Sequence, residues 1–532
     1  MGLRKISVIA LLAVAVGVMA VPARRDGFMR TAVDGTEKMV YLHGNEDFHY
    51  MTDTEGNWLD ETTLLPLTEE EKSERLQVKG ERAIRKAAQA TGTGRLLAPK
   101  GPVILVNFSD TMFSSTREQM IEWAMGENYT QNGASGSIRK YFYDNSYGQY
   151  NLQLDVYGPV TISKGYAYYG QNKNDRDGAD MHPDEMIVEA CKAADQLGVD
   201  FSQYDYNNDG EVDWVVVVYA GQGEADSYIA NTIWPHQYTL SSTNKSFQLD
   251  GKTIDRYCCT NEICTNRDGS TGGLAGIGVF VHEFSHILGL PDLYTTNSTD
   301  HKTLGMWDIM DYGCYNNDLK SPPMYSAYER WWMGWLQPEL LNTAADITLS
   351  ELSTGQKAGY INAQGEAVSN ILSPYPTVFY MLENRQQTSW DTYLPGHGLL
   401  ITKINYRYNW WNGNTINNTA SNMGVDIIEA DGLAPSFDSN NRGNGYFGKQ
   451  GDAYPTESVT SFTQVTNYPI TNIAENNGLI TFKVNGGGAP ILLNVETTEV
   501  KQPAQKILRD GKIVIIRGDK EYDILGHENH QL

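Results

Sequence analysis

Residues 279–294 read VFVHEFSHILGLPDLY. Positions four apart on an α-helix share a face, so His282 and His286 can aim two imidazoles at one ion. Glu283 is turned about 100° from His282. That places it beside the ion and not on it, where it can take a proton from a water. H-E-x-x-H on an apolar helix is the spacing of metal-assisted hydrolysis. No glycine or proline interrupts Val279 to Leu288, and Gly289 stands where a helix-ending glycine belongs. A catalytic zinc takes three protein ligands and leaves one position open. The third ligand has two sources: Asp292, three residues past Gly289, or Glu329 in YSAYERWWMGWL on a second helix. A further reading makes Asp292 a turn residue or an acceptor for a ligand histidine. The plain alternative to a metal site is a histidine pair packed on an amphipathic helix. The apolar helix, the glycine stop and the nearby carboxylate together favour the metal.

The chain has 532 residues and a net charge of −24. That length predicts two to four domains, and the acidity excludes a nucleic-acid binder. Arg4 and Lys5 precede ISVIALLAVAVGVMA, which ends in Val18 to Ala20. Residues 1–20 therefore read as a secretory signal peptide. The apolar run is short of the ~20 residues a bilayer span needs, so no stable membrane span is expected in the mature form. The five cysteines leave at least one thiol without a partner in the chain.

Residues 21–98 differ in character from the rest of the chain and read as a removable pro-segment. DGTEKMVYLHGNEDFHYMTDTEGNWL predicts a small β-meander, TEEEKSERLQVKGERAIRKAAQA a charged helix, and TGTGRLLAPKGP a cleavable linker. Strands and helices interleave over residues 99–337, as in an α/β (α+β) domain. GPVILVNFSD and EVDWVVVVYAGQG are its buried strands. Residues 338–486 predict a β-rich module of short strands. Gly486 to Gly488 read as a hinge, and 487–532 as a C-terminal tail built on KILRDGKIVIIRGDKEYDILG.

HEFSHILGLPD is similar to the long zinc motif of metzincin proteases, and GMWDIMDYG (305–313) resembles their methionine turn. HEFSHILGLPDLY, SAYERWWMGWL, YFYDNSYGQYNL, FYMLENRQQTSWDTYLPGHGLLI and the early VYLHGNEDFHYMTDTEGNW together resemble the M6 peptidases of the immune inhibitor A type. The resemblance implies a zincin/metzincin-like catalytic domain in a secreted, zinc-dependent endopeptidase made as a zymogen and cutting protein and peptide substrates. It implies zinc on His282, His286 and Asp292, and Glu283 as the general base that activates the metal-bound water. Met310 would form the apolar floor of the site. Tyr312 would stand near the zinc, to ligate it or stabilise the oxyanion. The tail resembles the sorting domains of type IX secretion, which implies passage to the exterior or surface of a Gram-negative cell.

DYNNDGEVDWVVVV (205–218) spaces Asp205, Asn207, Asp209, Glu211 and Asp213 like the first nine positions of an EF-hand loop, Glu211 through its carbonyl. The twelfth position is Val216, so a partial calcium site is expected. If the pro-segment acts as inhibitor through the metal, a thiolate plug is excluded, because no cysteine precedes Cys191. His43, Glu46, Asp47 and His49 are then the candidate donors, steric cover the alternative, and Arg95 or Lys100 the expected region of the cut. The rival reading is a secreted, catalytically weak or inactive metzincin-fold binding or adhesion protein that uses Trp410 and Trp411. An intact Glu283 argues against it, since a binder has no need of a general base.

Overall fold

The computed structural model describes residues 19–24, 27–45, 48–72, 100–172, 180–266, 269–297, 301–432, 447–494, 505–509, 512–517 and 520–522. Its central element is a seven-stranded sheet. Four strands run parallel in the order Arg256–Thr265, Val215–Gln222, Lys100–Asn107 and Gln153–Thr161. Parallel sheets bury both faces, so their strands read as continuous apolar runs. VILV and VVVV do so here. Val103, Leu105, Val216 and Val218 face one core, while Ile104, Val106, Val215 and Val217 face another. The second core is closed by helix Pro183–Gln196 through Met186, Ile187, Ala190 and Ala194. The first is closed by the motif helix, Gly278–Ile287, through Val279, Phe280, Phe284 and Ile287. Burying a side chain such as Phe284 contributes about 1.5–3 kcal/mol.

On the far side of Arg256–Thr265 lies strand His236–Thr239, antiparallel to it. Residues Met19–Ala20 pair antiparallel in turn with that strand, Ala20 opposite His236. The early region also forms its own four-stranded sheet, Phe28–Thr31, Glu37–Asn45, Phe48–Thr52 and Trp58–Leu59, as the meander pattern predicts. The charged helix opens at residues 69–72. Its remainder, the linker with Arg95, and Glu46 and Asp47 lie outside the described residues.

Beyond residue 338 a five-stranded and a four-stranded sheet share a core that includes Ile347, Leu382, Ile401 and Phe482. The expected boundary at 486/487 is corrected. Strand Ala489–Leu493 pairs in parallel with Ala345–Leu349, so residues 489–493 complete the four-stranded sheet. Gly486 and Gly487, with φ of +85° and +91°, turn the chain back onto its own sheet and so do not act as a hinge. By internal contacts the chain divides into Met1–Leu493 and Asn494–Leu532. The second unit holds a three-stranded sheet of Gln505–Arg509, Lys512–Arg517 and Lys520–Tyr522. Among the described residues no helix is long and apolar enough to cross a membrane.

The motif helix approaches the segment Tyr312–Tyr315 at backbone distance. A Cβ on Gly278 would lie 1.9 Å from the Cys314 carbonyl oxygen. Gly278→Ala is therefore expected to destabilise the protein by roughly 1–3 kcal/mol or more. It should lower the urea midpoint with little change in slope.

Candidate metal centre

Every residue of the motif helix is buried. Charged and polar side chains in such a place need partners, and the structure supplies them. Gly289, at φ +94°, reverses the chain: its N–H donates to the His286 carbonyl and that of Leu290 to the Ser285 carbonyl. The turn returns the Leu290 carbonyl to His286 Nδ1, at 2.7 Å, and carries Asp292 back over the helix. His282 Nδ1 lies 2.8 Å from the Ile309 carbonyl. Both histidines thus hold their Nδ1 protons on carbonyls and turn Nε2 inward, the arrangement that orients imidazole ligands.

The three inward atoms form a triangle. His282 Nε2 is 3.2 Å from His286 Nε2, and Asp292 Oδ1 is 3.2 Å from each. Tetrahedral bonds of about 2.0–2.2 Å to zinc separate neighbouring ligand atoms by roughly 3.3 Å, so the donor set and its spacing fit this ion. Burial pushes the His282 imidazole down, toward the neutral form a metal requires. Burial alone would raise the Asp292 carboxyl, but His286 and His282 hold it well below the usual range, as a carboxylate. Among the described residues this is the one group of three or more His, Cys, Asp or Glu side chains gathered closely enough to hold a metal.

Asn414 has no signal in the sequence that ties it to the site. Its amide grips Asp292 twice: Nδ2 donates to Oδ2 at 2.5 Å, and Oδ1 accepts the Asp292 N–H at 2.8 Å. Asn417 and Asn418 hold the same loop, at the Leu293 carbonyl and the Thr296 N–H. Losing an outer partner of this kind typically costs 10–100-fold in metal affinity. Asn414→Ala should lower zinc affinity by about that factor in a competition with a chelating dye.

Met310 is fully buried, and its carbonyl accepts the Leu293 N–H. It thus lies in the turn that also supplies the Ile309 carbonyl to His282. The Tyr312 ring packs edge-on against Phe447, with centroids 5.1 Å apart. Glu329 is not part of the triangle. Its carboxylate caps its own helix, Ala327–Trp332, by accepting from the Ser326 N–H and Oγ. Burial pushes its pKa up to about 7.

Glu283 Oε1 accepts the backbone N–H of Val21 at 2.7 Å. Residues 20–24 run past it, Ala20 ending a two-residue strand and 21–24 lying outside regular secondary structure. The carbonyls of Ala20, Val21, Pro22 and Arg24 accept from Tyr294 Oη, Trp234 Nε1, Tyr315 Oη and Tyr228 Oη. The expected metal donors of the early region are elsewhere. His43 Nε2 bonds Thr52 Oγ1. His49 lies 3.4 Å from Glu224 and 3.6 Å from Glu61, both carboxylates, and these raise its pKa well above the usual value against the opposing effect of burial.

The residues of the expected calcium loop do not converge as ligands. Lys252 Nζ reaches Asp205 Oδ2 at 2.5 Å, and Asp205 also accepts the N–H groups of Asp209 and Gly210. Asp213 Oδ2 accepts the Tyr206 N–H, and Asp209 bonds Asn207. The Lys252 ammonium thus pairs with the first carboxylate of this loop. Trp411 is buried against Tyr406 and Tyr328, and Arg407 covers Trp410, so the pair is not an open aromatic platform. All five cysteines are free thiols.

Residues 88–339 match the family described as "Immune inhibitor A peptidase M6, catalytic domain". The resemblance to M6 peptidases is thus shown over that segment. The chain is also 27% identical over 205 residues to Immune inhibitor A of Bacillus thuringiensis subsp. alesti, covering 34% of this chain and 28% of that protein. It is 27% identical over 232 residues to Pre-pro-metalloprotease PrtV of Vibrio cholerae serotype O1, covering 38% of this chain and 24% of that protein. These matches span under a third of either relative's length.

Proposed function

We propose, on the premise that residues 88–339 form an M6-type peptidase domain, that this protein is a zinc-dependent endopeptidase, secreted and made as a zymogen. The observation that carries the reading is the triangle of His282, His286 and Asp292 beside a buried Glu283. Zinc, when bound there, would polarise a peptide carbonyl and acidify a water. Glu283 takes the proton from that water and returns it to the leaving nitrogen. His282, His286 and Asp292 hold the ion, and the Ile309 and Leu290 carbonyls with Asn414 fix their orientation. Tyr312, on the methionine turn, is assigned the role of helping to stabilise the oxyanion.

Latency is attributed to residues 21–24, which cover Glu283 with main chain and place the Val21 nitrogen on it. Steric cover is therefore favoured over a side-chain plug from His43 or His49. Removal of a leader after Ala20 would turn that nitrogen into an α-amino group, a cation against the carboxylate. Lys100 opens the first strand of the central sheet and pairs with Asp155, so the cut is assigned upstream of it. The full chain with residues 21–98 intact is expected to leave casein uncut. After limited proteolysis the same preparation should hydrolyse it, and a chelator should abolish the activity. Full activity of the uncut protein would defeat the zymogen reading, and activity that survives the chelator would defeat the metallopeptidase reading.

A further inference from the structure

The segment beside Glu283 also bears on which substrates the site takes. Its start, Met19–Ala20, pairs antiparallel with strand His236–Thr239, the docking mode of an extended peptide added to a sheet edge. The Val21 nitrogen sits 2.7 Å from Glu283, where a leaving nitrogen must be to receive a proton from that carboxyl. Val21 therefore stands at the first residue after a scissile bond, and Arg24 at the fourth.

The hydroxyl and indole donors along this segment grip main-chain carbonyls, which every sequence offers. Arg24 is different, because its head group is held. It is 3% exposed. Its Nη1 donates to the Thr265 carbonyl at 2.8 Å, and its Nη2 pairs with Asp318 Oδ1 at 3.1 Å. Its N–H donates to the Ala225 carbonyl, which fixes the backbone at the pocket mouth. Asp226 lies beneath it. This carboxylate is 2% exposed, and Oδ2 accepts the Thr265 N–H. Oδ1 is buried with no hydrogen-bond partner. A buried oxygen left open in this way costs free energy unless a cation stands near it, and the Arg24 charge acts on this carboxyl.

The geometry points to a subsite, formed by Asp226, Asp318 and the Thr265 carbonyl, that selects substrates with a basic side chain at the fourth residue after the cleaved bond. Arginine should exceed lysine there, since its planar fork can meet the carbonyl and the carboxylate together. This inference rests on the peptidase reading above.

The test uses the activated, zinc-loaded protein and quenched peptides that differ only at that fourth position, carrying Arg, Lys, Gln or Glu. The Arg peptide should exceed the Gln peptide in kcat/KM by about tenfold, the worth of a hydrogen bond to a charged group, with Lys between and Glu last. Asp318→Asn should shrink the Arg-to-Gln ratio several-fold. Equal rates across the series would overturn the subsite. Binding of labelled Val-Pro-Ala-Arg amide and its Gln counterpart to the same protein separates the two claims. If no peptide is cut but the Arg form binds more tightly, the subsite stands and the peptidase reading falls. Equal or absent binding overturns the subsite.

Discussion

Glu283→Gln is expected to lower kcat/KM by about 10²–10⁴-fold, the usual contribution of a positioned acid–base group, while zinc content stays stoichiometric. Glutamine keeps the size and the hydrogen-bonding shape of the side chain but cannot take a proton. Glu283 is fully buried, and its Oε1 lies against a main-chain nitrogen rather than a metal ligand. The triangle beside it is made by other residues. The substitution therefore removes chemistry without removing the metal. The measurement pairs a peptide-hydrolysis assay with metal analysis of the same sample. Activity within a few-fold of the parent would end the case for Glu283 as base. Lost zinc would move Glu283 from base to structural support.

Asp292→Ala should lose the metal itself. Two imidazoles remain, but the carboxylate that closes the triangle is gone. Affinity should fall by more than the roughly 100-fold that outer partners can carry, and hydrolysis with it. There is a second cost. Asn414 Nδ2 donates to the Asp292 carboxylate, and removing its partner leaves a buried amide unsatisfied, at about 1–3 kcal/mol. The apo variant should therefore unfold at lower urea than the apo parent. Glu329→Gln is the control: its carboxylate serves as a helix cap, so zinc content should persist. Unchanged zinc in Asp292→Ala would reassign the third ligand.

What was legible in the sequence was local. The helix, its glycine stop and Asp292 lie within fourteen consecutive positions, 279–292, and short-range geometry brings the ligands together. The buried parallel strands announced themselves because sheets covered on both faces need unbroken apolar runs. What failed was long-range. Asn414 is 122 residues from Asp292, and an asparagine in a polar loop looks like any turn residue. The spacing of the acidic loop at Asp205 likewise does not reveal Lys252, 47 residues away, which pairs with Asp205. The glycines at 486–488 read as a hinge, and the strand after them as tail, because pairing with Ala345–Leu349 depends on a partner some 140 residues earlier. The segment that reaches Glu283 follows the apolar run near the N-terminus, where nothing in the composition marks Val21 as a partner for Glu283.

The grip of Asn414 on Asp292 has a consequence for modularity. A protein ended at residue 337 would keep the whole zinc motif and the methionine turn. It would lack the amide that clamps the third ligand and the two asparagines that hold its loop. Replacing the region after 338 in this chain would thus loosen Asp292 without touching the motif that contains it. The structural unit of the site is larger than the stretch that spells it.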